Sequence, residues 1–223
     1  MLAFIAALGD GDCEAIDTGW LAQPVNANSS LAYTVAGLAC VIWAARARTT
    51  ERLVRWLFVI GMVATGIGSF LYHGPQTTGD QFAHDVTFLA VLGVIGIADV
   101  TSGFRVASST MWAALALLLA AIIVTLVAWP GVTNAVMIGC VALVAVGDIV
   151  LFRGHSRRSV PYAVFAASMA LALGLFLLGR TGAPLCDPET FAQGHAGWHV
   201  LGAAGLVAYA VATGRVRAIE GWR

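Results

Sequence analysis

The sequence contains no lysine and has little charge of either sign. Of its 223 residues, 12 are basic, all of them arginine, and 12 are acidic, so the net charge is zero. The charged fraction of 11% is far below the roughly 25% of soluble domains, which excludes a soluble globular enzyme and a disordered protein. Without a basic excess the chain is not a nucleic-acid-binding protein. Without lysine it is neither a retinal Schiff-base protein nor an enzyme with a catalytic lysine. The hydrophobic fraction of 59% indicates an integral membrane protein.

Long apolar runs fill most of the chain. Seven of them approach the ~20 residues that a membrane-spanning helix needs. They lie near residues 30–46, 53–72, 82–101, 110–129, 132–152, 160–179 and 196–214. They predict an all-α fold, an integral membrane bundle of seven helices. Residues 1–28 would form an extracytoplasmic N-terminal segment, residues 29–214 the membrane domain and residues 215–223 a cytoplasmic tail.

Arginine is distributed unevenly between the two ends of the predicted spans. One end holds arginines at positions 46, 48, 52, 55, 105, 153, 157, 158, 215, 217 and 223, and the other holds only Arg180. Since arginine accumulates in cytoplasmic loops, the N-terminus is expected outside and the C-terminus in the cytoplasm. A composition rich in alanine, glycine and arginine favours a bacterial inner membrane, with the outer end of the bundle on the periplasmic side.

Four histidines fall at the predicted outer end of the bundle: His73, His84, His195 and His199. Ionisable residues in a membrane are costly, and a functional role is the default interpretation. His195 and His199 are four residues apart, so both can reach one ion from the same helix face. Three imidazoles with an open fourth position are typical of a catalytic zinc site. The alternative, equally consistent with the spacing, is a set of interfacial histidines hydrogen-bonded to headgroups or loops.

Other polar residues accompany these histidines. Ser69 precedes His73 by one helical turn, so the two side chains share a face. Asp85 follows His84 at the start of the third predicted span. There a carboxylate can orient or deprotonate a zinc-bound water, or interact with the helix dipole as an ordinary N-terminal acid.

The predicted outer side also carries two cysteines and an acidic run. Cys13 and Cys186 would lie in an oxidising compartment, where a disulfide between them is a hypothesis. The run containing Asp10, Asp12 and Glu14 offers oxygen ligands of the type that calcium prefers, but it does not have EF-hand spacing. A solvated acidic loop is the simpler interpretation of that run.

Taken together, these blocks resemble the alkaline ceramidase family, part of the CREST superfamily of seven-span metal hydrolases that also includes the adiponectin-type receptors. The matching blocks, in order, are Cys13-Glu14, Ala22-Gln23-Pro24-Val25-Asn26, Ser69 with His73 and the later Asp85, and His195-Ala196-Gly197-Trp198-His199. They extend over nearly the whole chain, and the last block is the most specific.

The resemblance implies zinc bound by His73, His195 and His199, catalytic roles for Asp85 and Ser69, and a disulfide between Cys13 and Cys186. The implied reaction is hydrolysis of the amide bond of a ceramide-like membrane lipid by a metal-activated water. Asp85 would act as the base, and Ser69 would help to stabilise the oxyanion. The alternatives are a receptor or sensor of the adiponectin type with little turnover, and a transporter or structural protein without metal.

Three positions depart from the ceramidase pattern. Asp85 follows His73 at a separation one residue longer than in ceramidases. Gln23 stands where the family has an acid, and Asp12 stands where it has tryptophan. Ceramidases hold calcium in this region, so calcium bound by Asp10, Asp12 and Glu14 is a hypothesis, although Gln23 removes one charge. The sequence does not reveal the oligomeric state or the exact lipid.

Overall fold

A computed structural model describes residues 8–47, 49–77, 79–153 and 160–220, with the backbone alone described at 49, 50 and 215–220. Every long regular element in these ranges is helical. The helices are α1 Pro24–Ala39, α2 Val41–Ala45, α3 Thr49–His73, α4 Asp80–Gly103, α5 Ser108–Ala128, α6 Thr133–Phe152, α7 Val160–Leu178 and α8 Gly194–Glu220. With α1 and α2 counted as one span, seven helices are long and apolar enough to cross a membrane. The predicted all-α, seven-helix membrane bundle is confirmed.

The first span begins at Pro24, six residues earlier than the apolar pattern predicts. Proline suits the first turn of a helix because its fixed φ matches and its missing N–H would have no partner there. The next two amides, Val25 N and Asn26 N, each donate to a different oxygen of the Glu14 carboxylate at 2.7 Å. Since this cap comes from a preceding loop, the hydrophobic run alone does not reveal it.

The helices pack in the order α7, α8, α1, α3, α4, α6, and α5 packs against α4. The main apolar core lies among α1, α3, α4 and α8, and includes the buried Tyr33, Phe58, Met62 and Tyr209. Helices α6 and α7 therefore form the two ends of the packing order. A gap lined by residues of both helices separates them.

The candidate site residues lie at one end of the bundle. His73 is the last residue of α3, Asp85 lies in the second turn of α4, and His195 opens α8. The side of the membrane that this end faces stays a prediction. Four of the arginines on which the prediction depends, at positions 48, 157, 158 and 223, lie outside the described residues.

Candidate metal centre

Three histidines from two helices converge at this end of the bundle. His73, His195 and His199 each offer a ring nitrogen within 4.8 Å of the others, and their ring centroids are 4.6 to 5.4 Å apart. All three are buried, with exposed fractions of 0, 6 and 2%. Among the described residues this is the one cluster of three or more histidines, cysteines or acids with such geometry.

Gln23 determines the tautomer of His73. Its amide nitrogen donates to the carbonyl oxygens of Gly9 and Glu14, at 3.0 and 2.8 Å, so its Oε1 is the acceptor. His73 Nδ1 lies 2.7 Å from that Oε1 and must carry the ring proton. The lone pair of His73 is therefore on Nε2, a buried atom with no hydrogen-bond partner among the described residues.

The same reasoning applies to His199. Ser29 donates its hydroxyl proton to the carbonyl of Asn26, so its oxygen accepts from His199 Nδ1 at 2.9 Å. In His195, Nδ1 lies 3.3 Å from the Asp12 carboxylate without a hydrogen bond, and the nearby negative charge favours a proton on Nδ1. Hydrogen bonds therefore leave the lone pair on Nε2 in His73 and His199, and the Asp12 charge favours the same tautomer in His195.

This arrangement fits a divalent transition metal. Metal-binding histidines characteristically donate their second ring N–H to a carbonyl, carboxylate or other acceptor, which orients the ring and fixes its tautomer. Here the Gln23 amide oxygen and the Ser29 hydroxyl serve as those acceptors for His73 and His199, and the Asp12 carboxylate lies 3.3 Å from His195 Nδ1. Three imidazoles suit zinc, copper, iron or nickel, and an open fourth position is typical of catalytic zinc. The structure thus confirms that the predicted triad can hold a metal ion and leaves the identity of the metal to experiment.

A cavity of about 290 Å³ opens beside the triad, and its walls include Ser69, His84, Asp85, His195 and His199. Asp85 lies in this wall but outside the three-histidine cluster. One of its oxygens is 2.8 Å from His84 Nδ1, and the other is 3.2 Å from the Thr133 hydroxyl. His84 and Asp85 thus form a hydrogen-bonded pair facing the cavity.

Ser69 is close to the triad, as its spacing from His73 predicts. Its hydroxyl lies 3.4 Å from His199 Nε2 and 2.8 Å from the Ser30 hydroxyl. Ser30 donates its own proton to Asn26, so it accepts from Ser69 in this arrangement. The proton of Ser69 can turn toward the cavity when an acceptor is bound there. Its predicted catalytic role stays a prediction.

The three acids considered for calcium have different surroundings. Asp10 is exposed. Glu14 caps α1, and burial raises the pKa of its carboxyl while the two backbone N–H donors lower it in part. Asp12 receives a hydrogen bond from Arg180 at 2.8 Å. Burial raises the Asp12 pKa against the opposing effect of that guanidinium. These partners explain the burial of Asp12 and Glu14 without an ion, and calcium stays a prediction.

The structure joins Cys13 to Cys186 in a disulfide, as predicted, with Cα atoms 5.5 Å apart. The bond links the N-terminal loop to the segment between α7 and α8. Ala15 N also donates to the Pro188 carbonyl across this junction. The disulfide therefore holds Asp12, one residue before Cys13, over the first turn of α8, where His195 lies.

Sequence reasoning missed the residues that orient the ligands. Neither composition nor spacing predicts the contacts of Gln23, Asp12 and Ser29 with the histidines, or those of His84 and Thr133 with Asp85. The signal that the sequence offers for Gln23 is its position directly before Pro24, the residue that begins α1.

A scan of the chain against protein-family models found no match, and a search among curated proteins found none either.

Proposed function

We propose that this protein is a zinc-dependent intramembrane hydrolase that cleaves the amide bond of a ceramide-like lipid, and that it acts in a bacterial inner membrane with its site on the periplasmic side. The observation that carries the proposal is the triad itself. Three buried imidazoles from α3 and α8 each offer a ring nitrogen within 4.8 Å of the others, and hydrogen bonds to Gln23 and Ser29 leave the lone pair of His73 and His199 on Nε2. This arrangement opens onto a polar cavity, as a hydrolytic site requires.

His73, His195 and His199 would hold zinc, which supplies Lewis acidity and makes water a nucleophile near neutral pH. The pair of His84 and Asp85 faces the same cavity and can accept a proton there, since imidazole and carboxylate are the common general bases. The same pair can return the proton to the leaving amine. The hydroxyl of Ser69 can donate to the oxygen that becomes negatively charged.

The surroundings of the site support a lipid substrate. An apolar cavity of about 260 Å³ adjoins the polar one, and Tyr33, Phe88 and Trp198 line both. It extends between α6 and α7, the two ends of the packing order. An acyl chain can lie there while its amide group reaches the triad, and substrate can enter sideways from the membrane.

Metal analysis tests the site. The purified protein should contain about one zinc per chain, and the double variant His195→Ala, His199→Ala should contain almost none. His84→Gln is the matched control, because it removes a histidine of the same cavity that is not a proposed ligand. It should keep its zinc. A double variant with full zinc content would refute the assignment of the ligands.

Turnover of a ceramide separates an enzyme from a receptor. We expect the zinc-loaded protein to release fatty acid from ceramide in detergent or vesicles. Asp85→Asn should lower kcat by about 10²- to 10⁴-fold, the usual contribution of general acid–base catalysis, with zinc content unchanged. A zinc-loaded protein that turns over no lipid amide would instead favour the receptor alternative.

A further inference from the structure

The apolar cavity carries a carboxyl group at the end far from the triad. Asp148 of α6 is the one acidic residue among the described residues that line it. Its side chain is 8% exposed, and its Oδ1 is buried with no hydrogen-bond donor among the described residues. Burying such an oxygen in apolar surroundings without a partner costs free energy. A ligand that brings a donor to this point would remove that cost.

Two neighbours hold Asp148 in place. Asp99 of α4 is fully buried and lies beside Asp148, close enough for one proton to join the two carboxyl groups. The Tyr209 hydroxyl of α8 lies 2.7 and 2.8 Å from the two oxygens of Asp99. Three helices therefore contribute to one polar cluster, and only its Asp148 member lines the cavity.

The distance from the triad suits a long lipid chain. Asp148 follows Thr133, which lies beside Asp85, by about four helical turns or roughly 22 Å of α6. Tyr209 follows His199 by roughly 15 Å of α8. The apolar wall between the two ends, with Leu92, Val144 and Met169 among its residues, would contact the methylene groups of that chain.

We propose that Asp148 binds a hydroxyl group near the far end of the lipid chain, so that the cavity prefers a hydroxylated chain to a plain one of the same length. The hydroxyl donates to Asp148 Oδ1 and completes the polar cluster with Asp99 and Tyr209. The inference rests on the proposed function in one respect: the chain that it selects is the acyl chain of the amide substrate.

Competitive binding tests this inference without requiring turnover. Palmitic acid and its ω-hydroxy analogue would displace a fluorescent fatty acid from the purified full chain. Both share the carboxylate, so the ratio of their dissociation constants isolates the effect of the hydroxyl group. We expect the ω-hydroxy acid to bind roughly tenfold more tightly, the usual net contribution of one hydrogen bond. Equal affinities in the wild type would overturn the proposal.

Substitutions in the cavity test whether Asp148 causes the preference for the ω-hydroxy acid. Asp148→Leu should abolish the preference and bind palmitic acid at least as tightly as the wild type does. Met169→Leu, an apolar exchange elsewhere in the same cavity, should keep the preference. If Asp148→Leu does not fold, Asp148→Ala removes the acceptor with a smaller side chain and should also abolish the preference. An unchanged preference in either Asp148 variant would contradict the assignment.

The two proposals fail separately. If the protein hydrolyses ceramide but shows no preference for the hydroxylated chain, the proposed hydroxyl site is refuted and the proposed hydrolase stands. If it shows a clear preference but hydrolyses no lipid amide, the proposed hydrolase is refuted and the cavity stands as a binding site for hydroxylated lipid chains.

Discussion

At the scale of single residues, Gln23 connects the N-terminal loop to the metal centre. Its carbonyl accepts from His73, while its amide group donates to two backbone carbonyls of residues 9 and 14. A carboxylate in this position could accept from the histidine but could not donate to the loop. The glutamine is therefore suited to both contacts.

Shortening this side chain should weaken metal binding. Gln23→Asn removes one methylene, so the amide can no longer reach His73 and the loop together. Loss of such an outer partner typically lowers metal affinity by about 10- to 100-fold. Competition with a zinc chelator measures the change. The matched control is Gln76→Asn, since Gln76 donates to Leu8. Its zinc affinity should equal that of the wild type.

Glu14 should make stability depend on pH. Its pKa in the folded protein is raised above 4.5, so the folded state holds this proton more tightly than the unfolded state does. Its contribution to stability is therefore greatest at low pH and declines as pH rises from about 4.5 through the raised value. Glu14→Gln does not titrate. Thermal unfolding at several pH values should show Tm of the wild type, relative to that variant, falling across this window. A constant Tm difference would contradict the shift.

At the scale of helices, the close contact between α1 and α3 positions Ser29 and Ser30, whose hydroxyls lie near His199 Nδ1. A Cβ added at Gly66 of α3 would lie 2.6 Å from the backbone nitrogen of Thr34 and 3.1 Å from the carbonyl of Ser30. Backbone atoms cannot move aside as a flexible side chain can, so α1 must shift. Ser29 and Ser30 would shift with it, away from His199.

Gly66→Ala should therefore lower both stability and zinc affinity. Overpacking of this kind costs about 1–3 kcal/mol, measurable as a lower Tm in detergent. Gly139→Ala on α6 is the control, because a Cβ there meets no atom within 4 Å. Alanine favours a helix over glycine by up to about 1 kcal/mol, so this variant should be as stable as the wild type or slightly more stable. Equal effects of the two substitutions would argue against the packing explanation.

At the scale of the whole molecule, the orientation in the membrane is open to a direct test. The arginine distribution predicts that Gly131, between α5 and α6, lies outside and that Ala107, before α5, lies in the cytoplasm. Both positions are exposed. The two free cysteines, Cys40 and Cys140, are buried, so an introduced thiol should be the reactive one.

Gly131→Cys in intact cells should react with a membrane-impermeant maleimide. Ala107→Cys should react only after the membrane is permeabilised. The reverse pattern would invert the orientation and place the metal centre on the cytoplasmic side. The proposed function would then need a substrate supplied from the inner leaflet.

The sequence by itself determined the class of the molecule and the local spacing of its candidate site residues. Apolar runs of spanning length have few structural solutions, because backbone groups in lipid must be hydrogen-bonded within the helix. His195 and His199 share a helix face by their spacing, and Ser69 shares one with His73. Those relations are local, so the chain order reveals them.

Only the tertiary structure decided that the three histidines converge and which residues contact them. Gln23, Asp12 and Ser29 reach the three histidines across separate segments of the chain, and Glu14 caps a helix from a loop. Asp99, Asp148 and Tyr209 come together from three helices. Such contacts depend on how helices pack and where loops fold back. Hydrophobic periodicity and residue spacing do not predict these contacts, because each contact joins segments that are remote in sequence.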